Sequence, residues 1–377
     1  MGRKGLIKIA QKITLLFGSL ILCFFVIEIG YRIFDPFPYF SNSEITRTEH
    51  GTLSTYDSIL GWKGIPGAKA ELVTNNNKVW ISHNQHGFRD IEHDYINHTK
   101  LAIAFLGDSF TWGFEVEFDE MFVNRLRDRL PNYEIFNLAH RAYGNDQEFL
   151  TFQQWEYNGP LKCVVLVFCE NDIIENNSSH CYGKPKPKYE IVNNELMLTG
   201  VPVPKIDYWE NDSRKKEEPR SWKESLSKFV FFSHFFHDVW HRYRLIRDRL
   251  SKSYVFEANW PSTLKKSHPE WWDLTLTSRI LQELKKHVEG RSAELVVFFI
   301  QPKRIVKKLD DTAPYHIEAD ICTKLGIKNF DLAPYFSKTL LRTYYRQGGH
   351  WNSRGHQVAA DAIYDCLTKK LSYDIKN

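Results

Sequence analysis

Cysteine is scarce and scattered in this chain of 377 residues: Cys23, Cys163, Cys169, Cys181, Cys322 and Cys366 form no CxxC pair and never reach the density of a disulfide scaffold. The redox compartment therefore stays open. Charge of one sign is also lacking, because 50 basic and 46 acidic side chains leave a net +4, too little for a nucleic-acid footprint. With no zinc-finger, basic-zipper or RNA-binding signature, nucleic acid is not expected as a partner. No internal repeat period is present, which excludes solenoids and propellers. Metal-binding spacing is missing too. His83, His86, His93 and His98 have no second ligand cluster, and His234, His237 and His241, although at helical spacing, have no carboxylate in a recognisable metal motif. No metal and no cofactor is expected. What remains, 42% hydrophobic and 25% charged residues, is the composition of a folded protein and not of a disordered tail. The length allows two domains, but α/β folds of about 250 residues often stand as one, so one large domain with additions is expected.

The one long apolar run lies at the N-terminus. Arg3, Lys4, Lys8 and Lys12 form a basic tail over residues 1–12, and the stretch from Ile13 to Ile27 is almost wholly apolar. Extended to Phe34 it reaches 22 residues, close to the roughly 20 that a bilayer core demands of a helix. No small-x-small cleavage site follows, and Tyr31, Phe34, Phe37 and Tyr39 around Pro36 and Pro38 read as an interfacial aromatic belt. This favours a retained transmembrane anchor over 13–34, in contact with membrane lipid, rather than a cleaved signal peptide. The positive-inside bias puts the N-terminus in the cytoplasm and residues 40–377 on the periplasmic or cell-surface side.

Residues 40–98 are polar and loop-rich, a lead-in with short strands before a main domain over 99–373. Leu101–Leu106 is a continuous apolar run, the pattern of a strand buried on both faces in a parallel sheet. Asp119 is expected to cap a helix over 120–130; Tyr133–Ala139 reads as a second strand, Asp146–Tyr157 as a second helix and Cys163–Phe168 as a third strand. The alternation pauses in the Pro-, Lys- and Asn-rich Gly183–Pro219 stretch. It resumes with a helix near 273–289, the strand Leu295–Ile300, a strand ending at Asp331 and a last helix from Arg354 to Leu371. Strand and helix in turn predict an α/β fold, a three-layer sandwich around a parallel sheet, with an insertion at about 175–270. Inside the insertion Phe229, Phe232, Phe236, Val239, Tyr243, Ile246 and Leu250 mark one face of a helix, while 214–252 carry 11 basic and 5 acidic side chains. Packing on the sheet with a solvated basic back is the simpler reading; a grip on anionic lipid or an acidic glycan is the functional one.

The chemistry gathers at strand ends. The first strand delivers Gly107-Asp108-Ser109 at its C-terminal edge, where ligands bind in open α/β sheets, so Ser109 is placed for attack. Its backbone N–H can also meet a developing oxyanion. The third strand ends in Glu170-Asn171-Asp172 and brings the Asn171 amide, a further donor, to the same edge. Near the C-terminus His350, in Gly348-Gly349-His350-Trp351-Asn352, supplies an imidazole from a loop, the candidate general base. Asp108 and Asp172 are expected to brace turns rather than act as acids, and His356 to pack.

In order and placement these segments resemble the four blocks of the SGNH, or GDSL-like, hydrolase family over about 95–370. The matching stretches are GDSFTWG (Gly107–Gly113), NLAHRAYGNDQ (Asn137–Gln147), ENDI (Glu170–Ile173) and HWNSRGH (His350–His356). The resemblance implies a flavodoxin-like α/β/α fold and a serine esterase working through an acyl-enzyme at Ser109, with His350 as base. The implied oxyanion donors are the backbone N–H of Ser109, Ala142 or Gly144 of the second block, and Asn171. HNQHGFRD (His83–Asp90) and the His-Trp-Asn block are similar to those of membrane-anchored bacterial members, some of which acetylate exported polysaccharides. An ester or acylated glycan, O-acetyl carbohydrate included, is therefore the implied substrate. A carbohydrate O-acyltransferase using the same site and an inactive glycan-binding or scaffolding module are the alternatives. Two departures stand out. Ala142 occupies the usual glycine position, which a backbone donor tolerates if its φ/ψ is allowed. The family's aspartate two or three residues before the histidine is replaced by Gly348 and Gln347. Either Gln347 or a carbonyl orients the ring, or an acid from elsewhere reaches it, which spacing does not name, or activity is lost.

Overall fold

The computed structural model describes residues 3–34, 45–48, 53–74, 76–206, 273–300, 315–339, 342–345 and 349–370. They divide into two compact units. In the first, helix α1 (Arg3–Phe34) contains the stretch Ile7–Gly30, whose 24 residues are long and apolar enough to cross a membrane, as a signal sequence also can be. Leu15, Phe17, Leu22 and Val26 are exposed on it. The aromatic belt beyond Phe34 and the basic helix expected over 229–250 lie outside the described residues.

The second unit begins with the lead-in, which is ordered strand. β1 (Ile45–Thr48) pairs with β4 (Lys69–Val73), and β4 with β5 (Lys78–Ser82), all antiparallel; β2 (Ser54–Asp57) and β3 (Gly61–Gly64) form a hairpin between them. Ala70, Leu72, Val79 and Ile81 face inward onto Trp112 and Ala139, alternating with the more exposed Glu71, Lys78 and Trp80 as a half-buried sheet requires. The chain then alternates. β6 (Leu101–Gly107) leads to the short α2 (Ser109–Trp112), α3 (Phe122–Arg129), β7 (Tyr133–Asn137), α4 (Asn145–Gln154), β8 (Leu161–Cys169) and α5 (Asn171–Asn176). Two hairpins follow, β9 (His180–Cys181) with β10 (Lys184–Pro185) and β11 (Lys188–Val192) with β12 (Glu195–Thr199). The described chain resumes at α6 (Leu274–Gly290), then β13 (Glu294–Ile300), α7 (Tyr315–Lys324), β14 (Lys328–Asp331), α8 (Ala333–Ser337) and α9 (Ser353–Asp365).

Five of these strands form one parallel sheet in the order β14-β13-β8-β6-β7. The alternation of side chains along each strand divides the core. Ala102, Ala104 and Leu106 of β6 join Phe149 of α4 and Ile280 and Leu284 of α6 on one face, whereas Ile103 and Phe105 join Phe122 and Leu126 of α3 and Ala359 and Ile363 of α9 on the other. This is the three-layer α/β/α sandwich with its parallel sheet. Fully burying one such Val, Leu, Ile or Phe is worth about 1.5–3 kcal/mol, so the two clusters dominate the stability of the unit. Counted from β6 the strand order is 2-1-3-4-5, a doubly wound sheet whose direction of winding reverses between β6 and β8. That crevice is where such sheets bind ligands.

Local differences from the expected elements have identifiable causes. Asp119 does not cap a helix: it lies inside a single 3₁₀ turn, Phe118–Glu120, closed by Glu117 N–H donating to Glu120 Oε2 at 3.1 Å, and α3 starts only after the extended, buried Met121. The last helix begins one residue earlier than Arg354, where Asn352 Oδ1 accepts the Gly355 N–H. Past Asp365 it widens into a π turn, Cys366–Lys370.

Candidate active site

Ser109 opens α2 directly beyond the end of β6. Asp108 caps that helix, its Oδ1 accepting the Phe110 N–H at 2.9 Å, and Gly113 closes it at φ 84. The serine is half-buried. Its Oγ lies 2.8 Å from Nε2 of His350, a residue 241 positions away in sequence. The imidazole sits beside Phe110 and Phe114, ring centroids 5.0 and 4.7 Å away. Its segment is held by backbone pairing and one side chain: Tyr345 N–H donates to the His350 carbonyl at 2.9 Å, Tyr344 pairs with Trp351, and Asn352 Nδ2 donates to the Arg342 carbonyl. Burial, joined by the charge of Arg141, lowers the His350 pKa to about 4, so the ring is neutral at neutral pH and able to accept a proton.

Asn171 opens α5 at the end of β8, the other lip of the crevice, with Nδ2 3.5 Å from Asp108 Oδ2. Ala142 stands in the loop between β7 and α4 at φ 62, the left-handed conformation, with the preceding His140 N–H donating to the Gly107 carbonyl. Gly144 is different. It is buried, and a Cβ there would lie 2.7 Å from Glu175 Cβ and 3.3 Å from Asn176 Oδ1, so its lack of a side chain serves the approach of α5 to α4.

Asp108 and Asp172 brace the turns. Asp172 Oδ2 accepts from Cys169 N–H at 2.8 Å and Asn145 Nδ2 at 3.1 Å, and Asn145 also reaches Glu148. Burial pushes the Asp108 carboxyl up to about 6 and those of Asp172 and Glu148 well above their ordinary values. These acids serve as hydrogen-bonded structure beneath the strand ends. His356 packs, stacked on Phe122, with its Nδ1 accepting the Phe122 N–H. Among the described residues no group of His, Cys, Asp or Glu could hold a metal ion.

Two further side chains around the site are not singled out by the sequence reading. Arg89, fully buried in the lead-in, donates to the carbonyls of Trp112, Gly113 and Val116 and so clamps the turn that follows Ser109. Glu115, within that turn, is buried, with Oε2 4.0 Å from His350 Nδ1. Only the folded chain brings it there; Gln347 and Gly348 lie outside the described residues.

The fold is similar to that of solved structures that include GDSL-family proteins and an acetylxylan esterase. One is a lipolytic protein of the G-D-S-L family from Veillonella parvula, 12% identical, with TM-score 0.37, covering 71% of this chain and 96% of its own. A second is a catalytic mutant of Axe2, an acetylxylan esterase from Geobacillus stearothermophilus, 8% identical, with TM-score 0.38, covering 75% and 99%. A third is a GDSL-like lipase from Bacteroides thetaiotaomicron, 11% identical, with TM-score 0.33, covering 71% and 88%. No family model and no curated protein matches the chain.

Proposed function

We propose that this protein is a serine esterase that cleaves an acyl ester through an acyl-enzyme at Ser109. The observation that carries the reading is the 2.8 Å contact between Ser109 Oγ and a neutral His350 at the crevice of a doubly wound sheet. His350 Nε2 takes the hydroxyl proton as Oγ attacks the ester carbonyl. The tetrahedral oxyanion is received by the N–H groups of Ser109 and Ala142 and by the Asn171 amide, which has a second N–H beyond the one facing Asp108. The left-handed backbone of Ala142 supports this assignment over Gly144, which is packed against α5. His350 then protonates the leaving alcohol, and a water activated by the same ring releases the acid. An acetylated carbohydrate is the substrate we favour on the resemblance of the His-Trp-Asn block. A sugar hydroxyl in place of that water would make the site an acyltransferase. The N-terminal helix would act as an uncleaved anchor, its basic tail in the cytoplasm and the catalytic unit outside.

The test is fluorophosphonate labelling of the detergent-solubilised full chain, with p-nitrophenyl acetate hydrolysis alongside. Labelling should vanish in Ser109→Ala and fall at least a hundredfold in His350→Ala. A folded wild type that neither labels nor hydrolyses would refute the reading in favour of a binding module. A reporter fused after Asn377 that works only in the cytoplasm would refute the orientation.

A further inference from the structure

We propose that Glu115 supplies the acid that orients His350, reaching the imidazole from the turn behind the nucleophile instead of from the residues just before the histidine. The inference rests on the reading of Ser109 and His350 as nucleophile and base. Three observations carry it. First, Oε2 of Glu115 lies 4.0 Å from His350 Nδ1, the ring nitrogen opposite the one that meets Ser109. This is ion-pair distance for an imidazolium, and catalytic hydrogen bonds are often long in the free enzyme and tighten around substrate.

Second, Glu115 is held in place at a conformational cost. Its φ is 68, a left-handed backbone that a long-chain residue adopts only when its surroundings impose it. Those surroundings are specific. Arg89 grips the carbonyls of Trp112, Gly113 and Val116 on either side, and the Tyr345 hydroxyl donates to the Glu115 carbonyl at 2.8 Å. Tyr345 also donates its backbone N–H to the His350 carbonyl. One residue thus ties the acid's turn to the base's loop.

Third, the two carboxyls of the strand-end segments that carry Ser109 and Asn171 are committed elsewhere: Asp108 caps α2 and Asp172 holds the end of β8. No acid stands at positions 347–349 of the sequence. In the reaction the Ser109 proton moves to Nε2, and the proton on Nδ1 stays there, facing Glu115. The carboxylate selects the tautomer and stabilises the imidazolium without itself taking a proton. Glu115 is accordingly a positioning residue.

The experiment compares Glu115→Gln, Glu115→Asp and Glu115→Gly with wild type in the full detergent-solubilised chain, by p-nitrophenyl acetate kinetics, fluorophosphonate labelling rate and thermal unfolding. Glu115→Gln should lower kcat and the labelling rate by about 10²–10⁴-fold with KM changed less than threefold, and Glu115→Asp, which keeps the charge, should be intermediate. Glu115→Gly removes the carboxylate and the backbone strain together, so it should be as slow as Glu115→Gln while unfolding no earlier than wild type. If Glu115→Gln and Glu115→Gly keep at least a third of the wild-type rate while Ser109→Ala and His350→Ala remain dead, the inference is overturned and the esterase reading stands. If folded wild type is itself unreactive, the reading falls and the inference with it.

Discussion

Replacing Lys186 by methionine tests how the segment after α5 is held. Lys186 is a fully buried ammonium whose Nζ pairs with Asp146 in the first turn of α4 and donates to the carbonyls of Glu175, Ser178 and Pro187 at 3.0, 3.2 and 3.1 Å. Methionine fills the volume and donates nothing. Removing one partner of a buried pair costs about 3–5 kcal/mol, because the other charge is left uncompensated. Here Asp146 has an escape. Burial already raises its pKa against the pull of Lys186, and without the lysine it takes up a proton. From an unfolded value of 3.8, protonation costs roughly 4 kcal/mol at pH 7 and under about 2 kcal/mol at pH 5, at 1.36 kcal/mol per unit. The sign follows from proton counting: above pH 4 the folded variant holds a proton that the unfolded chain has lost, so its stability falls as pH rises. Urea unfolding followed by tryptophan fluorescence should show a loss of about 3–5 kcal/mol at pH 7.5 and a loss at least about 1 kcal/mol smaller at pH 5. The double variant Lys186→Met/Asp146→Leu should recover at least half. Equal losses at the two pH values, or a loss below about 1 kcal/mol, would refute the claim that Lys186 neutralises a buried carboxylate.

Two more expectations concern the packing around the site. In Gly355→Ala the new Cβ would lie 2.1 Å from the Thr343 carbonyl oxygen and 2.8 Å from Trp351 Cβ, so the variant should lose about 1–3 kcal/mol and, because His350 adjoins Trp351, label more slowly; an unchanged labelling rate would show that the pairing of Tyr344 with Trp351 does not set the histidine's position. Burial lowers the pKa of His140 to about 3 and that of His83 to about 4. Their folded pKa values lie below the ordinary 6.5, so below pH 6.5 the unfolded chain binds more protons and their contribution to stability is lost as pH falls toward 4. His140→Gln should therefore flatten stability against pH between 6.5 and 4 in denaturant titrations, and an unaltered slope would contradict the burial of a neutral ring.

The parts legible in the sequence are those whose cause is local. Leu101–Leu106 and Cys163–Phe168 announce buried strands because every residue of a two-faced strand must be apolar, and both are strands of the central sheet. The starts of α6 and α9 lie within a residue of the expected 273 and 354, and the structure shows a local cause: Asp273 and Asn352 accept the first helical N–H groups with their side-chain oxygens. The candidate serine is named from its place at a strand end, and the histidine from its loop together with the block order that the resemblance supplies. Asp119 misled for the converse reason: a good capping residue is only an option, and the buried Met121 exercised a different one.

What the linear order cannot carry is which distant groups meet. Nothing in the Pro- and Lys-rich stretch distinguishes Lys186 from the half-exposed Lys184 and Lys188 beside it, and its burial depends on the partner that α4 presents. Arg89 and Glu115 likewise acquire their meaning only once the lead-in packs on α2 and the His350 loop folds over it. The sequence by itself determined the alternation of strands and helices, the apolar N-terminal helix and the residues available for chemistry, because periodicity and turn chemistry act over a few positions. Tertiary structure alone decided the 2-1-3-4-5 strand order, the meeting of Ser109 with His350 and the approach of Glu115 behind it, because burial and Coulomb interactions depend on distance in space and not on separation along the chain.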